Sequence, residues 1–139
     1  MIGKIDHIGI AVRSIAERRA LYEEALGLAF EGEDVVEEQG VRVAFFRAGE
    51  SMIELLEPLD ETGPVAKFLE KNGEGIHHIA LGCDDILKAR EHVASSSIRL
   101  LSETPLDGAH GKLISFMHPK DTGRVLLELT QRKQGAHGE

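Results

Sequence analysis

Two histidines and two glutamates occupy equivalent places in two parts of the chain, and together they have the composition of a metal site. His7 and His78 each lie in an apolar, strand-like stretch, and Glu54 and Glu128 each interrupt a later one. Two imidazoles and two carboxylates form a mixed nitrogen and oxygen donor set that suits cobalt, zinc, nickel, manganese or iron. The residue types therefore predict one divalent metal ion bound by all four side chains.

An internal repeat brings these four residues into correspondence. A shift of 71 positions (78 − 7) lays residues 6–12 on residues 77–83 and superposes the two histidines. Because self-similarity of this kind marks a duplicated structural unit, we interpret the chain as two repeats at about 4–57 and 75–131. Each repeat then contributes one histidine and one glutamate to the site.

Each repeat is predicted to be a βαβββ module. The apolar spacing predicts helices at about 14–26 and 85–96. Extended segments at 40–46 and 112–117 precede the closing strands that carry the glutamates. The expected fold class is α+β, with both modules in a single domain that spans residues 1–139.

Alternation along the first strand gives His7 a face of small residues. His7 shares this face with Gly9 and Ala11, while Ile10 and Val12 point to the other side. The second copy repeats the pattern, and each glutamate lies on a largely apolar strand face. Because a carboxylate without a partner is costly to bury, we expect the histidines and glutamates to line a cavity. The larger apolar side chains are expected to pack beneath a helix.

Composition and charge argue against several classes of function. The chain has 139 residues, of which 42% are hydrophobic, and a formal net charge of -8 at pH 7. An acidic chain without a dense run of Lys and Arg does not predict a nucleic-acid partner, and no apolar stretch approaches the roughly 20 residues that span a membrane. The first residues lack the pattern of a signal peptide, so we expect a cytoplasmic protein with Cys83 as a core thiol.

Six stretches carry a resemblance to a known family: Ile5–Val12, Glu54–Pro58, Gly75–Ala80, Gly108–Lys112, His118–Asp121 and Leu127–Gln131. Together they resemble the methylmalonyl-CoA epimerase family of the vicinal oxygen chelate superfamily, which also contains glyoxalases, bleomycin resistance proteins and dioxygenases. The resemblance extends over about residues 4–131. It implies two tandem βαβββ modules that form a curved, cup-like mixed sheet around the metal, with the helices outside, in a homodimer.

The family resemblance also implies a ligand set and a cofactor. Its metal ligands correspond to His7, Glu54, His78 and Glu128, although some epimerases have glutamine at the position of Glu54. The cofactor implied is one divalent ion per chain, cobalt first, with zinc, nickel or manganese as alternatives.

The activity implied is the interconversion of the 2R and 2S forms of methylmalonyl-CoA, an acyl-CoA thioester, by proton abstraction at C2 through a metal-stabilised enolate. Glu128 would be both a metal ligand and one proton-transfer base. Some family members have a second glutamate where this chain has Val43. His110 would then supply or relay the second proton. The alternative is that His110 only orders the substrate or the backbone of the loop. Three cations lie near the second-half loops and could serve the CoA phosphates: Lys112, Lys120 and Arg124.

Two other functions remain open. A glyoxalase I-type lyase that acts on a glutathione hemithioacetal would use the same donors and also move a proton next to a carbonyl. A non-catalytic small-ligand binding protein of the same fold would not need four metal ligands, and a ring-cleaving dioxygenase needs only two histidines and one carboxylate. The segments Gly108–Lys112 and His118–Asp121 favour the epimerase.

Overall fold

The computed structural model describes residues 1–132, in which it places eight strands and three α-helices. The chain divides into two compact units. The first unit consists of His7–His77, and the second combines Met1–Asp6 with the chain from His78 onwards. Each unit contains one strand, one helix and three further strands in the order predicted for a repeat, and the first unit adds a second helix after them. The α+β class and the βαβββ order are therefore confirmed.

The first unit has a four-stranded sheet with the order β2-β3-β4-β1. Strand β1 runs parallel to β4, and the neighbouring pairs β2·β3 and β3·β4 are antiparallel. A further helix, α2, follows the last strand. The elements are β1 (Ile2–Ala11), α1 (Ile15–Ala20), β2 (Ala29–Val36), β3 (Val41–Ala48), β4 (Ser51–Pro58) and α2 (Pro64–Asn72).

The second unit repeats this arrangement with the order β5-β8-β7-β6, and the first residues of β1 lie beside β5. Strand β5 runs parallel to β8, while β8·β7 and β7·β6 are antiparallel. The elements are β5 (Gly75–Cys83), α3 (Ile86–Ser95), β6 (Leu106–Asp107), β7 (Lys112–Phe116) and β8 (Leu127–Arg132).

Side-chain caps fix where the two repeat helices begin. The Ser14 hydroxyl accepts a hydrogen bond from the N–H of Glu17, and the Asp85 carboxylate accepts one from Lys88. Both predicted helices are therefore confirmed. The first differs in one respect, because α1 changes to π-helical hydrogen bonding at Leu21–Ala25, an irregularity that apolar spacing does not encode.

Each unit buries a separate apolar core between its helix and its sheet. In the first unit Ile10 and Val12 pack with Ile15 of α1, as the alternation of β1 predicted. In the second unit Leu129 packs against Ile86 of α3, together with Cys83. Burial raises the pKa of the Cys83 thiol, and its place in this core confirms the expected core thiol.

The last strand begins later than the apolar run at 125–130 suggests. Arg124 has a left-handed backbone, with φ 73°, and the Thr122 hydroxyl donates a hydrogen bond of 2.6 Å to the carbonyl of Val125. Val125 therefore belongs to the preceding turn, and β8 begins at Leu127. None of the helices in residues 1–132 combines the length and the apolar character needed to cross a bilayer.

Candidate metal centre

The first unit holds His7 and Glu54 side by side. Strands β1 and β4 are parallel neighbours in which Gly9 pairs with Glu54, two residues beyond His7. His7 Nδ1 lies 3.3 Å from Glu54 Oε2, and each residue is only 4% exposed. The absence of a side chain at Gly9 leaves room for the imidazole to reach the carboxylate along the strand face.

The second unit reproduces this pair with His78 and Glu128. Strand β5 is parallel to β8, and Ala80 pairs with Glu128, again two residues beyond the histidine. His78 Nε2 lies 3.2 Å from Glu128 Oε1, and both side chains are buried. The two halves therefore place their histidine and glutamate in the same register, as the repeat predicted.

An aromatic residue encloses each pair from the next strand. Phe45 of β3 lies directly opposite Glu54, and Phe116 of β7 lies directly opposite Glu128. The Phe116 ring meets the His78 ring edge-on, with centroids 5.7 Å apart and an interplanar angle of 89°. Such walls exclude water and strengthen every electrostatic interaction near the carboxylates.

The chemistry of these donors fits a divalent metal ion. Each unit offers an imidazole nitrogen and a carboxylate oxygen at a buried place, where an ionised carboxylate without a positive partner would be unfavourable. Imidazole suits zinc, copper, iron and nickel, and carboxylate suits harder ions such as manganese. Whether both pairs hold the same ion stays a prediction.

The position of Val43 removes one candidate for the second proton carrier. Val43 lies on the face of β3 that also carries Phe45, opposite Leu56 of β4, and is 3% exposed. An isopropyl side chain carries no exchangeable proton. The first unit therefore lacks a carboxylate at the position where some relatives in the superfamily were expected to have one.

His110 lies in an exposed turn just before β7. The short 3-10 segment Ala109–Gly111 is kinked at His110, which adopts a left-handed backbone, with φ 57° and ψ 35°. A non-glycine residue rarely adopts this conformation without a reason. Gly108, which precedes it, packs closely on Ile114, because a Cβ there would lie 2.8 Å from Ile114 Cγ2. Gly108 therefore packs against β7, while a catalytic role of His110 stays a prediction.

The three cationic residues considered as partners of the CoA phosphates differ in their exposure. Lys120 and Arg124 are exposed, whereas Lys112 is only 7% exposed. Lys112 Nζ donates a hydrogen bond of 2.9 Å to Asp6 Oδ2. Lys112 is therefore held in a buried ion pair, unlike the other two cations, and a role of any of the three in binding phosphate stays a prediction. The ion pair joins residues 106 positions apart, so no local pattern could have predicted it.

The segment His118–Asp121 closes the turn between β7 and β8. The backbone N–H and the guanidinium of Arg99 donate three hydrogen bonds to the Asp121 carboxylate, at 2.9, 2.9 and 3.0 Å. These bonds hold the pKa of Asp121 well below its usual range. His118 Nδ1 accepts a hydrogen bond from the N–H of Lys120. Asp121 and His118 thus stabilise the turn that leads into the strand of Glu128.

Comparison with known proteins is consistent with this geometry. A family profile described as the glyoxalase/bleomycin resistance protein/dioxygenase superfamily matches residues 6–116. An uncharacterized protein of Bacillus subtilis is 46% identical over 99% of both chains. An ethylmalonyl-CoA/methylmalonyl-CoA epimerase of Cereibacter sphaeroides is 43% identical over 94% of this chain and 99% of its own length.

A solved structure extends the likeness to three dimensions. The methylmalonyl-CoA epimerase of Streptomyces coelicolor, a variant in complex with 2-nitronate-propionyl-CoA, has a TM-score of 0.92 and 38% sequence identity. The match covers 95% of this chain and 99% of that one. The similarity therefore extends over nearly the whole chain and is not confined to the strands that carry the two His–Glu pairs.

Proposed function

This chain belongs to the glyoxalase/bleomycin resistance protein/dioxygenase superfamily, and we propose that it is a metal-dependent epimerase that interconverts the 2R and 2S forms of methylmalonyl-CoA. One observation carries the proposal: buried His–Glu pairs stand in the same register in both repeats of a chain that is 43% identical to an epimerase for such thioesters. A glyoxalase I-type lyase remains the second candidate, because the donor types alone do not separate the two reactions.

His7, Glu54, His78 and Glu128 together hold one divalent ion in this proposal, within a single domain formed by both repeats. Support comes from the donor chemistry and from the burial of both carboxylates, which are 4% and 3% exposed. Cobalt is the first expectation, with zinc, nickel or manganese as alternatives. When bound, the ion supplies a Lewis acid that stabilises the negative charge developing on the substrate oxygens.

Glu128 is the proposed base for one face of the substrate. The C2–H of methylmalonyl-CoA lies between two carbonyl groups, so its removal needs only a well-placed carboxylate and a stabilised oxygen. Glu128 stands on β8 against the His78 imidazole and the Phe116 ring, which fix the direction of its carboxylate. Return of a proton to the opposite face of C2 completes the inversion.

His110 is the proposed carrier or relay of the second proton, because Val43 cannot act. An imidazole titrates near neutral pH, and the exposed position of His110 before β7 leaves it accessible to a ligand. His110→Ala should lower kcat by roughly 10²-fold, the lower end of what a positioned acid or base contributes, and leave metal stoichiometry unchanged. His110→Gln, which keeps a polar side chain but cannot carry the proton, is the matched control. Wild-type turnover in both variants would remove His110 from the mechanism.

Isotope exchange tests the whole proposal. Metal-loaded protein is mixed with one methylmalonyl-CoA epimer in deuterated water, and proton NMR follows loss of the C2 proton together with racemisation. Protein stripped with EDTA is the control. We expect exchange and racemisation that depend on the metal. Absence of both from metal-loaded protein, with turnover of the hemithioacetal of glutathione and methylglyoxal, would overturn the epimerase in favour of the lyase.

The assembly state and the substrate class follow the family resemblance. We infer a cytoplasmic homodimer with an acyl-CoA thioester as its substrate. Size-exclusion chromatography with light scattering measures the assembly directly, and a mass of one chain would contradict it.

A further inference from the structure

An aromatic side chain stands beside the proposed base in the second unit. Phe116 of β7 pairs with Glu128 of β8 across the two strands. Residues paired in this way project from the same face of a sheet, with Cβ atoms about 4.5–5.5 Å apart. The Phe116 ring also meets the His78 ring edge-on, with centroids 5.7 Å apart. Phe116 therefore lies on the face of the metal donors, next to the carboxylate that would take the proton.

The segment before β6 continues this face outward with a second apolar residue. Leu100 forms an isolated antiparallel bridge with Met117, and both pack in the apolar core of the second unit. The N–H of Leu101 donates a hydrogen bond of 2.9 Å to the carbonyl of Phe116. Because side chains alternate along extended backbone, Leu101 and Phe116 project away from that core, on the face of Glu128. Leu101 is 53% exposed, so this face is apolar and open to solvent beside the ring.

The matching aromatic residue of the first unit is closed to solvent. Phe45 pairs with Glu54 as Phe116 pairs with Glu128. Phe45 is 0% exposed, whereas Phe116 is only partly buried. Phe116 thus presents surface to a ligand and Phe45 does not. Since Glu128 is also the proposed base, the accessible ring stands beside the place where C2 of the substrate must lie.

The part of an acyl-CoA that suits this ring is the alkyl group on C2. For proton transfer, C2 must lie about 3–3.5 Å from the Glu128 carboxylate. The alkyl group, the free carboxylate and the thioester carbonyl are all bonded directly to C2, but of these the alkyl group alone is apolar. A carboxylate or carbonyl against an aromatic ring would lose its hydrogen bonds. The charged phosphates of CoA are many bonds further from C2.

We infer that the Phe116 ring receives the alkyl group on C2 of the substrate and limits its size. The inference rests on the proposed function. Both epimers lose their C2 proton to give one planar enolate, in which the alkyl group keeps the same place, so a single ring serves both. Phe116 is then a specificity-determining residue, since a methyl group fits against the ring and a longer group is disfavoured.

The test uses two substrates that differ by one methylene. Metal-loaded wild-type and Phe116→Leu proteins react with methylmalonyl-CoA and with ethylmalonyl-CoA in deuterated water, and proton NMR of C2 exchange gives kcat/KM for each. Wild-type protein should prefer methylmalonyl-CoA. Leucine is shorter than phenylalanine, so Phe116→Leu should raise kcat/KM for ethylmalonyl-CoA relative to methylmalonyl-CoA about tenfold, the low end of the discrimination that a pocket makes over one methylene. Loss of folded protein cancels from this ratio, because both substrates are measured on one preparation.

Phe45→Leu is the matched control, because it makes the same change beside Glu54. Phe45 presents no surface to a ligand, so the ratio for this variant should stay within about twofold of the wild-type value. Equal changes of the ratio in Phe45→Leu and Phe116→Leu would mean that the sheet has only loosened, and would overturn the inference. An unchanged ratio in Phe116→Leu, with lower kcat/KM for both substrates, would also overturn it, since the ring would then contact the CoA arm that both share.

The wild-type rates separate this inference from the proposed function. If metal-loaded wild-type protein exchanges C2 of neither substrate, the proposed epimerase fails, and the inference fails with it. If wild-type protein exchanges C2 of both substrates equally well, the epimerase stands and only the size limit at Phe116 fails.

Discussion

Residues that pair across neighbouring strands form a row of each sheet. The two units agree at the row that contains the glutamate and differ at the row two residues further along the same strand. His7 with Glu54 and His78 with Glu128 stand in the same strand register. One row further along, the first unit has the apolar residue Leu56, buried and 4% exposed. The second unit has Thr130 at the equivalent place, and it is 2% exposed.

The adjoining strands extend this difference. Val41 begins β3 of the first unit, and Lys112 begins β7 of the second, 71 positions later (112 − 41). Both residues are buried, but only the second is charged. Like donors from both units could bind one ion, so the shared row suits the proposed metal. The next row has no such requirement and differs between the units.

The largest expected effect concerns the shared row. His7→Ala and His78→Ala each remove one imidazole from the proposed ion. If the units contribute equally, both variants should lose tightly bound metal and fall to background turnover. Metal analysis after gel filtration, with His92→Ala as a control on the exposed end of α3, measures this. Full metal content in either variant would show that the donors do not act as one site.

The two glutamates should differ in turnover even though they share a register. Glu128→Gln removes the proposed base and should lower kcat by roughly 10³-fold, near 4 kcal/mol of activation free energy. Glu54→Gln keeps an oxygen ligand, as some epimerases do, and should lower kcat by no more than about tenfold. Steady-state epimerisation assays on metal-loaded variants give both values. Equal losses would mean that Glu128 acts only as a ligand.

The ion pair of the second unit should be a large contributor to stability. Lys112→Met keeps most of the apolar stem of the side chain but removes the cation from the half-buried Asp6 carboxylate. We expect the free energy of unfolding to fall by about 3 kcal/mol. Urea denaturation of metal-free protein measures the change without a contribution from bound metal.

A double variant separates charge from packing at this pair. Asp6→Asn combined with Lys112→Met removes both charges, so it should recover a large part of the lost stability. If the double variant is as unstable as Lys112→Met, packing of the lysine stem explains the effect, and the pair is not an electrostatic feature of the second unit.

The sequence predicted which residues form the row of His–Glu pairs, but it did not predict the contacts that distinguish the second unit. A repeat with period-two alternation predicts which strand residues share a face, and this placed each histidine with its glutamate. The shift between repeats grows from 71 to 74 at the glutamates (128 − 54), because Glu128 follows Phe116 by three more residues than Glu54 follows Phe45. The Asp6–Lys112 pair depends on how distant strands approach each other, which local patterns do not contain. That the Thr130 hydroxyl has no hydrogen-bond partner among residues 1–132 depends on every neighbour at once.

The smallest expected effect comes from a substitution that gives the first unit the polar residue of the second. Leu56→Thr places a hydroxyl in an apolar row, and Leu56→Val makes the same change in volume without the hydroxyl. The threonine variant should be less stable than the valine variant by about 1–3 kcal/mol, the cost of burying a hydroxyl without a partner. Chemical denaturation of the metal-free variants gives this difference.

The outcome decides whether the hydroxyl of Thr130 marks a real difference between the two units. If Leu56→Thr is as stable as Leu56→Val, the first unit accommodates a hydroxyl at this position without cost. The contrast between Leu56 and Thr130 would then have no energetic meaning.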